Sequence, residues 1–206
     1  MSLVSFIIAS TCIHKLYPVV DSILLRHSMK FQTSTRKRYI VKNIIKSIML
    51  FFLVIFSLLF VFTKDWTSPY IKHVASMYVA NDFVALLTCR TLSWSTKIHH
   101  AVSCIFLMYA SVIDFSQSLE AQMLFYYTFF SACTFFVNLY LGLRLCFDNL
   151  LTLRAVCKYG YCFFIIINWS LQLYMGWGKV EMWYLAMLLF IINDDIVLLR
   201  WLWCSK

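Results

Sequence analysis

Ile44-Ile-Lys-Ser-Ile-Met-Leu-Phe-Phe-Leu-Val-Ile-Phe-Ser-Leu-Leu-Phe-Val-Phe-Thr63 is a run of twenty residues dominated by large apolar side chains. At about 1.5 Å rise per residue a helix of this length covers the roughly 30 Å hydrocarbon core of a bilayer. The rest of the chain has the same character. Of its 206 residues 62% are apolar and 13% charged, with only 4 Gly and 2 Pro, and the mean hydropathy is +0.78. A soluble domain carries about 25% charged residues, so a cytosolic enzyme, a secreted disulfide scaffold and a disordered chain are all excluded. The expected fold is all-α: a polytopic bundle of transmembrane helices, with lipid as the solvent of its outer surface.

Reading outward from this stretch gives seven candidate spans, at 3–25, 44–63, 74–89, 98–113, 121–143, 159–175 and 182–199. His14, Lys15, Pro18 and Asp21 interrupt the first, which is expected to be a kinked span or an anchor. It lacks the basic start of a cleaved signal peptide. Segment 1–37 reads as this span or anchor plus a basic loop, and 38–206 as the transmembrane domain proper.

The net charge of +9 does not indicate nucleic acid, because the cations sit in the gaps between apolar runs. Seven of them, Arg26, Lys30, Arg36, Lys37, Arg38, Lys42 and Lys46, flank the gap between the first two runs. The positive-inside rule makes that side cytosolic. Alternation then puts fourteen Lys or Arg, Lys206 among them, on the cytosolic side and three, Lys64, Lys72 and Lys179, on the other. Seven spans place the N-terminus outside and the C-terminus in the cytosol. Six spans result if the first run does not cross. The eight Cys show no C-x-x-C pair and read as small hydrophobes.

An ionisable group at membrane depth marks a cavity or site. Asp82 lies in the third run, His99 and His100 open the fourth, and Asp194 and Asp195 lie in the seventh. Asn138 and Asn168 are their neutral counterparts in the fifth and sixth. On helical rise, Asp82 is roughly 12 Å in from Arg90 and Asp194 about 9 Å from Arg200. A polar cavity in the cytosolic half of the bilayer is therefore expected. Asp194 and Asp195 could instead pair with Arg200 or snorkel, and Asn168 could bond between helices. Asp65 and His73 read as solvated loop residues. Two imidazoles offer a general base or nucleophile. Adjacent helical positions point about 100° apart, so no metal site is expected.

Met77-Tyr-Val-Ala-Asn-Asp82-Phe-Val-Ala-Leu-Leu87, followed by Lys97-Ile-His99-His100-Ala-Val-Ser103, resembles the TLC-domain family, which includes ceramide synthases and translocon-associated TRAM proteins. Ser131-Ala-Cys-Thr134-Phe-Phe-Val-Asn138 is similar to a second segment of that family, with Ser131 where a Glu is usual and Phe135 where a Pro is usual. There is no acidic residue between Ala121 and Asn138, so the resemblance is closer to the small members than to true ceramide synthases.

The resemblance implies a protein of the endoplasmic reticulum whose partners are membrane lipids, with a homo-oligomer left open and no bound cofactor. Two functions follow. In the first, the cavity binds a lipid or acyl chain and influences lipid composition or trafficking. In the second, it transfers an acyl group from acyl-CoA to a lipid, with His99 or His100 as base or nucleophile and Asp82 orienting an imidazole. Ser131, Thr134, Asn138, Asp194 and Asp195 would contact substrate, and Arg90, Lys97 and Arg144 would meet its phosphates. The binding reading demands less of the residues present and ranks first. A channel or transporter ranks last, since no repeat or Gly/Pro-broken pair of spans is visible.

Overall fold

A computed structural model describes residues 2–67 and 69–204, without the side chain of Ser2. Lys206, counted among the cytosolic cations, lies outside the described residues. Those residues form nine helices and no strand: α1 (Ser2–His27), α2 (Met29–Thr33), α3 (Lys37–Thr63), α4 (Tyr70–Thr88), α5 (Trp94–Val112), α6 (Leu119–Cys133), α7 (Phe135–Leu143), α8 (Leu151–Gly176) and α9 (Met182–Cys204). Local chemistry sets several of the ends. Ser28, Ser93 and Ser118 each accept a hydrogen bond from the backbone N–H three residues on, at Phe31, Thr96 and Ala121, which satisfies a donor that a helix start leaves open. Lys64 ends α3 in the left-handed region at φ 52°, with its N–H bonded to Phe60 O.

The chain is an integral membrane protein of helical type. Four helices, α1, α3, α8 and α9, are long and apolar enough to cross a bilayer, and α6 with α7 makes a fifth such span if counted as one. The remaining long helices, α4 and α5, have 19 residues each but carry their polar groups inward. Lipid replaces water outside, so the outer faces present bare apolar side chains such as Phe52, Phe56, Phe62, Phe163 and Leu189.

At the centre, α3 packs against α1, α4, α6 and α7, while α8 and α9 close the other side against α5, α6 and α7. The first run is one continuous helix with Pro18 inside it, and it belongs to the bundle: Ile13, Tyr17 and Leu24 share a buried cluster with Ile40, Val41, Ala80 and Val84. His73 is no loop residue. It lies in α4, partly buried, with Nδ1 2.6 Å from Ser5 Oγ of α1. The basic gap is also shorter than its charges suggest, because Lys42 and Lys46 are buried members of α3.

The fifth run is a broken span. Its halves meet at Thr134 with a bend of 42°. Thr134 leaves helical geometry (φ −89°, ψ 20°), and its Oγ1 donates back to Ser131 O at 2.7 Å. Such a side-chain bond competes with the helical ladder and bends it. Beyond the bend, α7 lies so close to α3 that a Cβ on Gly142 would sit 2.9 Å from Ile44 Cγ1 and 3.2 Å from Ile40 O. Gly142→Ala should therefore destabilise the bundle by about 1–3 kcal/mol, the usual cost of overpacking. Unfolding in denaturing detergent measures it; an unchanged midpoint means that α3 and α7 part without penalty.

Candidate functional site

The ends of α3, α5, α7, α8 and α9 that share one side of the bundle enclose a cavity of about 310 Å³. From α5 come His99 and His100; from the bend and α7 come Ser131, Thr134, Asn138 and Arg144; from α9 come Asp194 and Asp195. Residues 95 positions apart in sequence thus meet in one space, as their shared depth suggested. Asn168 lines it too, and its Oδ1 accepts from Gln172 Nε2 one turn on in α8 at 3.5 Å.

Two substrate contacts expected from the sequence fall elsewhere. Arg90 is exposed in the turn after α4. Lys97 stands over the ring of Trp94, 5.1 Å from its centroid, on a part of α5 turned away from the cavity. Neither lines it. Helical position alone could not separate these residues from Arg144, which is one of its walls.

Asp82 is behind the cavity and wholly buried, at 0% exposure. Its carboxylate forms an ion pair with the Lys46 ammonium of α3, and His100 Nδ1 approaches the same Oδ1 at 3.3 Å. His99 has a different carboxylate: its Nδ1 lies 3.5 Å from Asp194 Oδ2. The two imidazoles stand edge to face, 5.7 Å apart. Adjacent in sequence, they therefore have separate surroundings. His100 belongs to a buried Lys46–Asp82 group, and His99 faces the open space beside Asp194.

Among the described residues, Asp82 Oδ2, His99 Nδ1 and both ring nitrogens of His100 make no hydrogen bond of good geometry. A buried polar atom left so costs about 1–3 kcal/mol; Asp82 Oδ2 and His100 Nε2 have no nearby partner, while the two Nδ1 atoms lie 3.3 and 3.5 Å from carboxylates. Asp82, His99 and His100 do bring ligand atoms within 4.8 Å of one another. Lys46 already places a positive charge on that carboxylate, however, and a second cation there would be repelled by it. The cluster suits proton exchange or hydrogen bonding better than a metal ion.

On the far wall, Asp195 accepts hydrogen bonds from Tyr127 Oη of α6 at 2.6 Å and Tyr161 Oη of α8 at 2.9 Å. Arg200 pairs with neither Asp194 nor Asp195 among the described residues. The two phenols were not singled out by sequence, nor were Lys42, Lys46 and Tyr78. A signal for the lysines exists in retrospect: positions 42 and 46 are four apart and share a helix face.

A second, narrower cavity of about 50 Å³ adjoins the first. Its walls are mostly apolar, among them Val74, Phe106, Leu107, Ala110 and Phe125. His99 and Tyr78 line both spaces. A polar chamber and an apolar slot thus share His99 as a common wall. No family model, no curated protein and no solved structure matches this chain.

Proposed function

We propose that the chain binds a membrane lipid or acyl chain, head group in the polar chamber and hydrocarbon toward the apolar slot, and that it influences lipid composition or trafficking. The observation that carries this reading is the shared wall at His99 and Tyr78. An amphiphile needs both environments side by side, and a chamber of this volume lies at the lower end of the range for small-molecule sites, enough for a head group. The reading takes the bundle as seven spans with an outside N-terminus and a cytosolic C-terminus, which puts the chamber in the cytosolic half of the bilayer. A TLC-type fold in the endoplasmic reticulum is part of the same proposal, supported by the Asp82 and His99-His100 segments.

The second reading is acyl-CoA-dependent transfer of an acyl group to a lipid amine or hydroxyl. His99 beside Asp194 favours it, since an imidazole next to a carboxylate is the arrangement of a general base and its orienting partner. Asp82 would then act on His100, in a buried supporting role.

One experiment separates the two. Cells expressing the chain are compared by quantitative lipidomics with cells expressing a His99→Ala/His100→Ala variant at equal membrane abundance, and lipids that co-purify with each protein are measured in parallel. Binding predicts roughly tenfold less co-purified lipid in the variant, a loss of about 1.4 kcal/mol, with His99→Gln retaining most of it. Transfer predicts a lipid species that rises with the wild type and returns to baseline in both variants. Identical co-purified lipid and identical lipidomes would sink both readings.

A further inference from the structure

Two cations of the polar chamber have no carboxylate of their own. Lys42 is 4% exposed; its ammonium meets the side-chain amide oxygen of the neighbouring Asn43 at 3.2 Å and lies 6.0 Å from the centroid of the Tyr39 ring, with no carboxylate in ion-pair range among the described residues. Arg144 lies over the ring of Trp201, 4.3 Å from its centroid, and its Nε is buried without a hydrogen-bond partner. The carboxylates have partners of their own: Asp82 an ion pair with Lys46, Asp194 the imidazole of His99 at 3.5 Å, and Asp195 two phenols that donate to it. Charge in the chamber is therefore uneven. The wall made by α3 and α7 is positive, and it faces a wall on α5 and α9 whose carboxylates are already engaged.

These two residues come from α3 and from the end of α7, which pack closely at Gly142. A Cβ on Gly142 would touch Asn43 Cβ at 3.6 Å as well as Ile44 and Ile40, so Arg144 and Lys42 flank one tight α3–α7 seam. Trp201 fixes the plane of the guanidinium. A guanidinium and an ammonium that line the same chamber are groups suited to the oxygens of a phosphate, by charge-assisted hydrogen bonds. A buried Arg Nε and a buried Lys without counter-ions are otherwise costly.

We infer that Lys42 and Arg144 form a phosphate clamp, and that the occupant of the chamber carries a phosphate group. The inference rests on the amphiphile-binding reading above and specifies its head group. The phosphate could belong to a lipid or be free in the cytosol; the chemistry of the clamp is the same for both.

The full chain is reconstituted into nanodiscs containing phosphatidic acid or diacylglycerol with the same acyl chains, and retained lipid is counted by native mass spectrometry. The expected result is about tenfold preference for phosphatidic acid, about 1.4 kcal/mol, falling to near parity in Lys42→Gln/Arg144→Gln, which removes both charges that distinguish the two head groups. Arg36→Gln, an exposed cation at the start of α3, should keep the preference, which excludes general surface attraction. Thermal unfolding checks that the glutamine pair is folded, and Lys42→Arg/Arg144→Lys should recover selectivity above that pair.

Displacement of phosphatidic acid by inorganic phosphate assigns the clamp to free phosphate as well; resistance to it assigns the clamp to the lipid. Equal retention of both lipids by the wild type, or a preference that survives the glutamine pair, overturns the clamp. If both lipids are still lost in His99→Ala, the amphiphile reading stands without it. If neither lipid is retained by the wild type, that reading falls too.

Discussion

Asp82→Leu should cost the bundle about 3–5 kcal/mol, because it strands a buried ammonium. Lys46 has a side-chain exposure of 8% and its carboxylate partner 0%, so neither charge has water to fall back on. Lys46→Met should be comparably harmful, as it leaves Asp82 as a buried anion without its cation. The double change Asp82→Leu/Lys46→Met removes both charges and fills their volume with hydrocarbon. It should recover most of the loss and lie within about 1–2 kcal/mol of the wild type, since a buried pair is often little better than a well-packed apolar one. Unfolding in denaturing detergent, run on all four proteins as a double-mutant cycle, measures the coupling. Strict additivity of the single effects would show that the two side chains do not meet. The double variant also asks a functional question. If it folds but no longer retains lipid, the Asp82–Lys46 pair exists to position His100 rather than to hold the helices.

The second large effect is expected at Asp195. Tyr127→Phe/Tyr161→Phe deletes both phenols that donate to its carboxylate. Hydrogen bonds to charged groups contribute about 1.5–3 kcal/mol each, so the pair should cost roughly 3–6 kcal/mol together. The phenols come from α6 and α8 and the carboxylate from α9, so loosening should spread across three helices, seen as faster backbone hydrogen exchange in α9. Adding Asp195→Asn to the double-Phe protein removes the stranded charge and should return a large part of the stability. No recovery would mean that packing by the rings, and not their hydroxyls, supports this wall.

These pairs explain which parts of the site were legible in one dimension. Asp82, His99, His100, Asp194 and Asp195 are conspicuous because lipid-depth ionisable residues are expensive; their rarity is itself the signal. Lys42 and Lys46 were hidden by the opposite effect. They border a cluster of five other cations, where a lysine reads as an orientation marker on the membrane surface. Tyr127 and Tyr161 were hidden among 12 Tyr and 19 Phe, since an aromatic in a span is ordinarily packing. Arg90 and Lys97 do not line the cavity, because depth along a helix says nothing about direction around it.

The fifth run illustrates the same limit in the backbone. Its apolar content predicts one span over 121–143, and its composition is indeed apolar throughout. The bend at Thr134 arises from a hydroxyl turning onto the carbonyl three residues earlier, a choice that Thr makes in some helices and not in others.

Apolar run lengths, set against the fixed thickness of a bilayer, were enough to determine that this chain is a helical membrane protein with polar groups inside several of its apolar segments. Periodicity also places Lys42 and Lys46 on one face of α3. What periodicity cannot supply is the identity of the surface opposite that face. That Asp82 takes Lys46 and His100 while His99 takes Asp194, and that Lys42 and Arg144 are left over, was decided by which helices pack together. Charge pairing acts over a few ångströms in space, and only the tertiary structure brings positions so far apart in the chain within that range.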